Sequence, residues 1–157
     1  MLYIVRSGQA QNRVSFVIMP RLTRYFIKTA LSYLALSLVL GVVLAARAAL
    51  DLPAELAALS PVFFHLFMVG WVTQLIFGML FWMLPKSSKE LPRGNEPLAW
   101  AAYILINCGL VLRIIGEPLA ALRAEWGLGW LLGLSALLQL AGGWAFIANA
   151  WPRVKVR

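Results

Sequence analysis

Apolar residues run along the chain in four long blocks, at residues 26–46, 62–84, 98–115 and 128–150, with proline and charge concentrated between them. Each block is close to the about 20 mostly apolar residues that an α-helix needs to cross a bilayer. The first break holds Arg47, Asp51, Pro53 and Glu55, the second Pro85, Lys86, Lys89 and Arg93, and the third Glu117, Pro118 and Arg123. Such short connections place successive helices antiparallel. The pattern predicts an all-α protein: one domain over residues 1–157, built as an integral membrane bundle of four transmembrane helices, with residues 1–25 as a basic tail.

Composition strengthens that reading. Of the 157 residues, 62% are apolar or aromatic and 13% are charged, against roughly 45–50% and about 25% in an ordinary soluble domain. A chain this short cannot enclose so much apolar surface in one water-facing globule. The net charge of +8 would suggest nucleic acid in a soluble protein. Here the cations flank apolar runs, so the expected partner is the lipid bilayer and no nucleic acid. The single cysteine, Cys108, lies inside an apolar block, which excludes a disulfide framework and a CxxC site.

The cations also predict orientation. All of them except Arg47, Arg113 and Arg123 fall in the N-terminal segment, the second connection or the C-terminal segment. Cytoplasmic flanks carry the excess of Lys and Arg, so both termini are expected to be cytoplasmic. The expected location is a bacterial-type inner (plasma) membrane, crossed several times. Trp82, Trp100, Trp126, Trp130 and Trp151 fall near block ends, as an interfacial aromatic belt requires. Ala45, Ala46, Ala48 and Ala49 offer small residues for signal cleavage, but losing the first block would break the even charge pattern. Met19-Pro20-Arg21 is an alternative start to Met1.

Polar and small residues inside the blocks recur at helical spacing, as bundles in lipid require for close approach and interhelical hydrogen bonding. The first block offers Tyr33, Ser37 and Gly41, the second Gly70, Gln74 and Gly78, the third Tyr103 and Asn107, and the fourth Ser135, Gln139 and Gly143. These are expected to be packing residues.

His65 is the one histidine, about a turn after Pro61 near the outer end of the second block. Ionisable groups within spans are candidates for function. At about 100° per residue, Met68, Val72, Met79 and Met83 share its side of the helix, opposite Gly70, Gln74 and Gly78. Imidazole and thioether ligate haem iron and also suit copper(I). Copper fits less well, because the methionines spread over more than four turns of one helix. The alternative is a packed histidine whose N–H bonds a neighbour. Arg113 is expected at a depth close to that of His65. It either pairs with Glu117 at i+4 or, with Arg47, holds the propionates of a haem on His65.

The second block reads His65-Leu-Phe-Met-Val-Gly70-Trp71, continues to Gly78, and closes with Phe81-Trp82 and Pro85-Lys86. It resembles the second helix of subunit I of the haem-copper oxidase and nitric oxide reductase family, and especially small four-helix proteins related to that subunit. The resemblance covers residues 65–86 and implies that His65 is an axial ligand of haem b. It also implies electron transfer, or an accessory role, in a respiratory or nitric-oxide-related membrane system. The chain departs from the family in having no further histidine for a second haem or copper, so it is not a complete oxidase. Phe63 stands where small relatives often place another histidine. A six-coordinate haem would therefore take its second ligand from a methionine or from another chain, which implies a homo-oligomer or a larger membrane complex. The alternative reading is a non-catalytic membrane subunit or assembly factor without a cofactor.

Overall fold

The computed structural model describes residues 19–87 and 92–154. The question of Met1 against Met19, and the cations Arg6, Arg13, Lys89, Lys155 and Arg157, lie outside the described residues. Four helices are long and apolar enough to cross a membrane, and no strand occurs among the described residues. The first helix is Arg21–Ala46, the third Glu96–Leu122 and the fourth Gly129–Ala150. The second is composite: a six-residue 3-10 segment Ala54–Leu59, then α-helix Ser60–His65, a π-helical stretch Leu66–Thr73 and α-helix Gln74–Met83.

Local chemistry sets these limits. The second helix stops at Leu84, whose φ of −60° and ψ of 145° are extended, because the ring of Pro85 disfavours helical backbone in the residue before it. Asn95 opens the third helix by accepting a hydrogen bond from the Leu98 amide at 3.0 Å. That helix then departs from the expected limit at Ile115, running through Pro118 to Leu122. A proline inside a helix removes one N–H from the ladder. Here the turn around it is held from the side, by contacts of Glu117 and by Gly116 lying close under Leu131 and Leu132.

The bundle buries polar side chains among its apolar core and turns large apolar ones outward. Thr23, Ser37, Gln74 and Ser135 are fully buried, while Val42, Leu137 and Trp144 are more than half exposed, as expected where the surrounding medium is lipid. Trp126, Trp130 and Trp151 are also exposed, at helix ends. The first helix packs on the second at two glycines: a Cβ on Gly70 would lie 2.8 Å from Tyr33, and one on Gly78 would lie 2.8 Å from Phe26. The third and fourth meet at Gly109 and Gly142. Stacked rings of Phe77 and Phe146, 3.8 Å apart, join the second helix to the fourth. The expectation for the fourth helix is corrected by one position. Gly143 has nothing within 4 Å of its would-be Cβ, and the contact belongs to Gly142.

Between two apolar clusters lies a polar layer in the middle of the bundle. Gln74 and Asn107 exchange two amide hydrogen bonds of 3.2 Å, and the Tyr33 hydroxyl donates to Asn107 Oδ1 at 3.1 Å. The Thr29 and Tyr103 hydroxyls are 2.7 Å apart. This satisfies the polar groups of three helices against one another, which a lipid surround makes obligatory.

The π-helical stretch explains how the second helix keeps one buried side. Val62, Leu66, Gly70, Gln74 and Gly78 are all buried. In a pure α-helix, four successive steps of four residues drift by about 160° around the axis. The i→i+5 bonding of a π-helix takes in more residues per turn and removes that drift. Thr73 supports the wider turn by donating its hydroxyl to the Met68 carbonyl at 2.8 Å.

Both described ends of the chain lie at the same end of the bundle. Pro20 and Arg21 share a cavity with Phe81, Arg93 and Trp100, and Arg153 reaches Phe81, Leu84, Pro85 and Arg93. Arg153 reads in the sequence as one more tail cation. In the structure it is 1% exposed and closes the second helix by donating to four carbonyl oxygens.

Candidate functional site

The site lies at the opposite end, where the second and third helices meet. His65 is the last residue of its α-helical segment, just before the π turn. Its Nδ1 lies 2.9 Å from the Pro61 carbonyl oxygen and 3.1 Å from Glu117 Oε1. Both neighbours are oxygen acceptors, so Nδ1 carries the proton and donates. Nε2 makes no hydrogen bond among the described residues and carries the lone pair whenever the ring is neutral. The ring is 28% exposed, whereas Glu117 is only 8% exposed.

Glu117 is the centre of the group. Its Oε1 also receives Arg113 Nη1 at 3.4 Å, the i+4 pair expected from spacing. The carboxylate thus bridges the histidine of one helix and the arginine of its own. Its Oε2 and the Arg113 Nε are buried without a hydrogen-bond partner.

Arg113 therefore comes to the level of His65, as its depth in the sequence suggests, but through Glu117. The guanidinium expected at haem propionates is already engaged. Arg47 is engaged too, donating to the Ala54 carbonyl at 3.1 Å, which ties down the connection before the second helix. None of the described contacts joins Arg47 to His65. Met68 and Met83, expected on the side of His65, are 53% and 70% exposed. They face outward and do not form a thioether pocket around the imidazole. Among the described residues there is no group of three or more His, Cys, Asp or Glu side chains able to hold a metal ion.

Gly70, Gln74 and Gly78 stand where packing requires, against the first helix and the Asn107 amide. Glu117 is the member that sequence reasoning missed as a neighbour of His65. Its only signal was the i+4 spacing to Arg113, which says nothing about the other helix it faces. Comparison of the chain with protein-family models, with curated proteins and with solved structures gave no match.

Proposed function

We propose that this is a multi-pass membrane protein that binds haem b through His65 Nε2 and serves in electron transfer, or as an accessory, in a respiratory or nitric-oxide-related membrane system. The observation that carries the reading is that His65 Nδ1 faces two oxygen acceptors while Nε2 is left without a partner among the described residues. A ligating histidine donates its other ring N–H to a carbonyl or carboxylate, which fixes the ring and raises the basicity of the ligating nitrogen. His65 has both kinds of acceptor on Nδ1, and its ring reaches the bundle surface. Bound there, a haem would supply one-electron redox chemistry. The chain's own part is to hold the ring: Pro61 and Glu117 orient it, and Arg113 balances the buried carboxylate.

One histidine per chain supports a site completed by a second copy or by another subunit. The family resemblance of residues 65–86 supports the same assignment. A second reading, a non-catalytic subunit or assembly factor, is favoured by one specific observation: Arg113 and Arg47 are already engaged, so His65, Glu117 and Arg113 also make sense as an interhelical clasp.

Colour separates the two. Protein purified in detergent from haem-replete cells should show a Soret band and a reducible α band. His65→Ala should abolish both while the helical circular dichroism and elution volume stay unchanged. Colourless wild-type protein would leave only the clasp.

The orientation that goes with this reading puts both termini in the cytoplasm of a bacterial-type cell. The described cations at the chain-end face, Arg21, Arg24, Lys28, Lys86, Arg93 and Arg153, outnumber the acids there. Tags at either terminus should be protected from an impermeant reagent in intact cells and labelled after lysis. Labelling of one terminus before lysis would mean an odd number of crossings.

A further inference from the structure

We propose that the start of the first helix is a binding site for the headgroup of an anionic phospholipid. Arg21, Arg24 and Lys28 follow one another at i, i+3 and i+7, so they lie on one face of that helix, and all three are exposed. With Tyr25 they line a cavity of about 290 Å³. None of the three makes an ion pair among the described residues. The sequence has no Asp or Glu before Asp51, so neither this helix nor the segment before it can neutralise them. An adjoining cavity shares Arg21 and adds Arg93 opposite one acid, Glu96.

Two features make a lipid headgroup a better occupant than a soluble phosphate. The basic face continues along the same helix as Leu31, Leu38 and Val42, each more than half exposed, so a phosphate held by the cations has acyl-compatible surface directly beyond it. Tyr25 packs edge-on against Trp100, with centroids 5.4 Å apart. Such aromatic residues sit at headgroup level. Guanidinium groups also take phosphate oxygens with two parallel hydrogen bonds, which gives the cavity a preference for phosphate over a diffuse negative surface.

The test is native mass spectrometry of the full chain in detergent with added phosphatidylglycerol or phosphatidylcholine. Each cation near an anionic headgroup contributes about fivefold in binding, so R21Q/R24Q/K28Q should lower phosphatidylglycerol retention by roughly a hundredfold. R6Q/R13Q/K155Q, which removes the same charge elsewhere in the sequence, should change it less than about threefold if binding is local. Retention should weaken with added salt for phosphatidylglycerol and not for phosphatidylcholine. If the triple variant does not fold, R24Q alone should still give about a fivefold loss. Equal losses in the two triple variants, or equal retention of the two lipids by wild type, would overturn the site. Displacement of phosphatidylglycerol by millimolar inorganic phosphate would assign the cavity to a soluble phosphate and overturn the lipid assignment.

Discussion

Arg153→Met should destabilise the bundle by about 3 kcal/mol, the largest effect expected of any substitution outside the His65 site. The last carbonyls of a helix have no partner within it, and near a bilayer water is a poor substitute. Arg153 serves that role for the second helix from the far end of the chain. Its Nη2 donates to Phe81 at 3.0 Å and Leu84 at 2.9 Å, its Nε to Pro85 at 3.1 Å, and its Nη1 to Arg93 at 3.5 Å. The guanidinium also lies 5.6 Å from the centre of the Phe81 ring. Methionine keeps much of the apolar stem and none of the donors, leaving acceptors that cost about 1–3 kcal/mol each when buried unpaired. Partial access to interfacial water brings the total down to the stated figure. Lysine, a compact charge without the planar fork, should recover less than half of the loss. Reversible unfolding in mixed micelles measures this, and a change below about 0.5 kcal/mol would show that the carbonyls find other donors.

The second large effect separates two adjacent glycines. Gly142→Val should cost about 2–3 kcal/mol, the usual range for overpacking a tight contact, because a Cβ at 142 would stand 2.7 Å from Ile106 Cγ1 and 3.1 Å from both the Ala102 oxygen and the Ile106 nitrogen. Backbone atoms cannot turn aside as a side chain can, so the third and fourth helices must separate. Gly143→Val should lie within about 0.5 kcal/mol of wild type or be slightly stabilising, since that position is open and glycine is a poor helix former. The same unfolding measurement on both variants decides it. Equal losses would mean that the fourth helix is rotated from the described arrangement.

The spans were legible because lipid demands length and apolarity, and both are written plainly in the blocks around Tyr33, Gln74, Asn107 and Ser135. The buried side of the second helix was legible as well, since Gly70, Gln74 and Gly78 repeat at four-residue steps. What that repeat concealed was the winding. A spacing of four fits an α-helix locally, and only its persistence from Val62 to Gly78 points to a π turn. Gly142 and Gly143 differ by about 100° of rotation; at that spacing Gly142 falls near Ser135 and Gly143 near Gln139, so the polar residues of the block do not choose between them. Arg153 counted as a cation in the sequence, but its hydrogen-bonding role depends on the short 3-10 turn Trp151–Arg153 bringing it under the second helix. The meeting of His65 and Glu117 is a property of two helices together. His65 was visible as an ionisable group within an apolar block and Glu117 as a charge of the third connection, and nothing in either segment named the other.

The wide turn at Leu66–Thr73 makes the second helix a shaft with a coupling in it. The half that bears Gln74 and Gly78 is keyed to the first helix by close contact, whereas the half that bears His65 is held by Val62 and Leu66 in an apolar cluster with Leu110 and by the imidazole on Glu117. If the coupling gave up one residue and returned to α winding, everything before it would swing by about 100°. His65 would then leave the carboxylate and face a different neighbour, while the polar layer at Asn107 stayed in place. Val62 would swing out of its apolar cluster in the same movement, so the azimuth of the imidazole is set by how many residues the coupling holds and is locked by the apolar contacts of its own half.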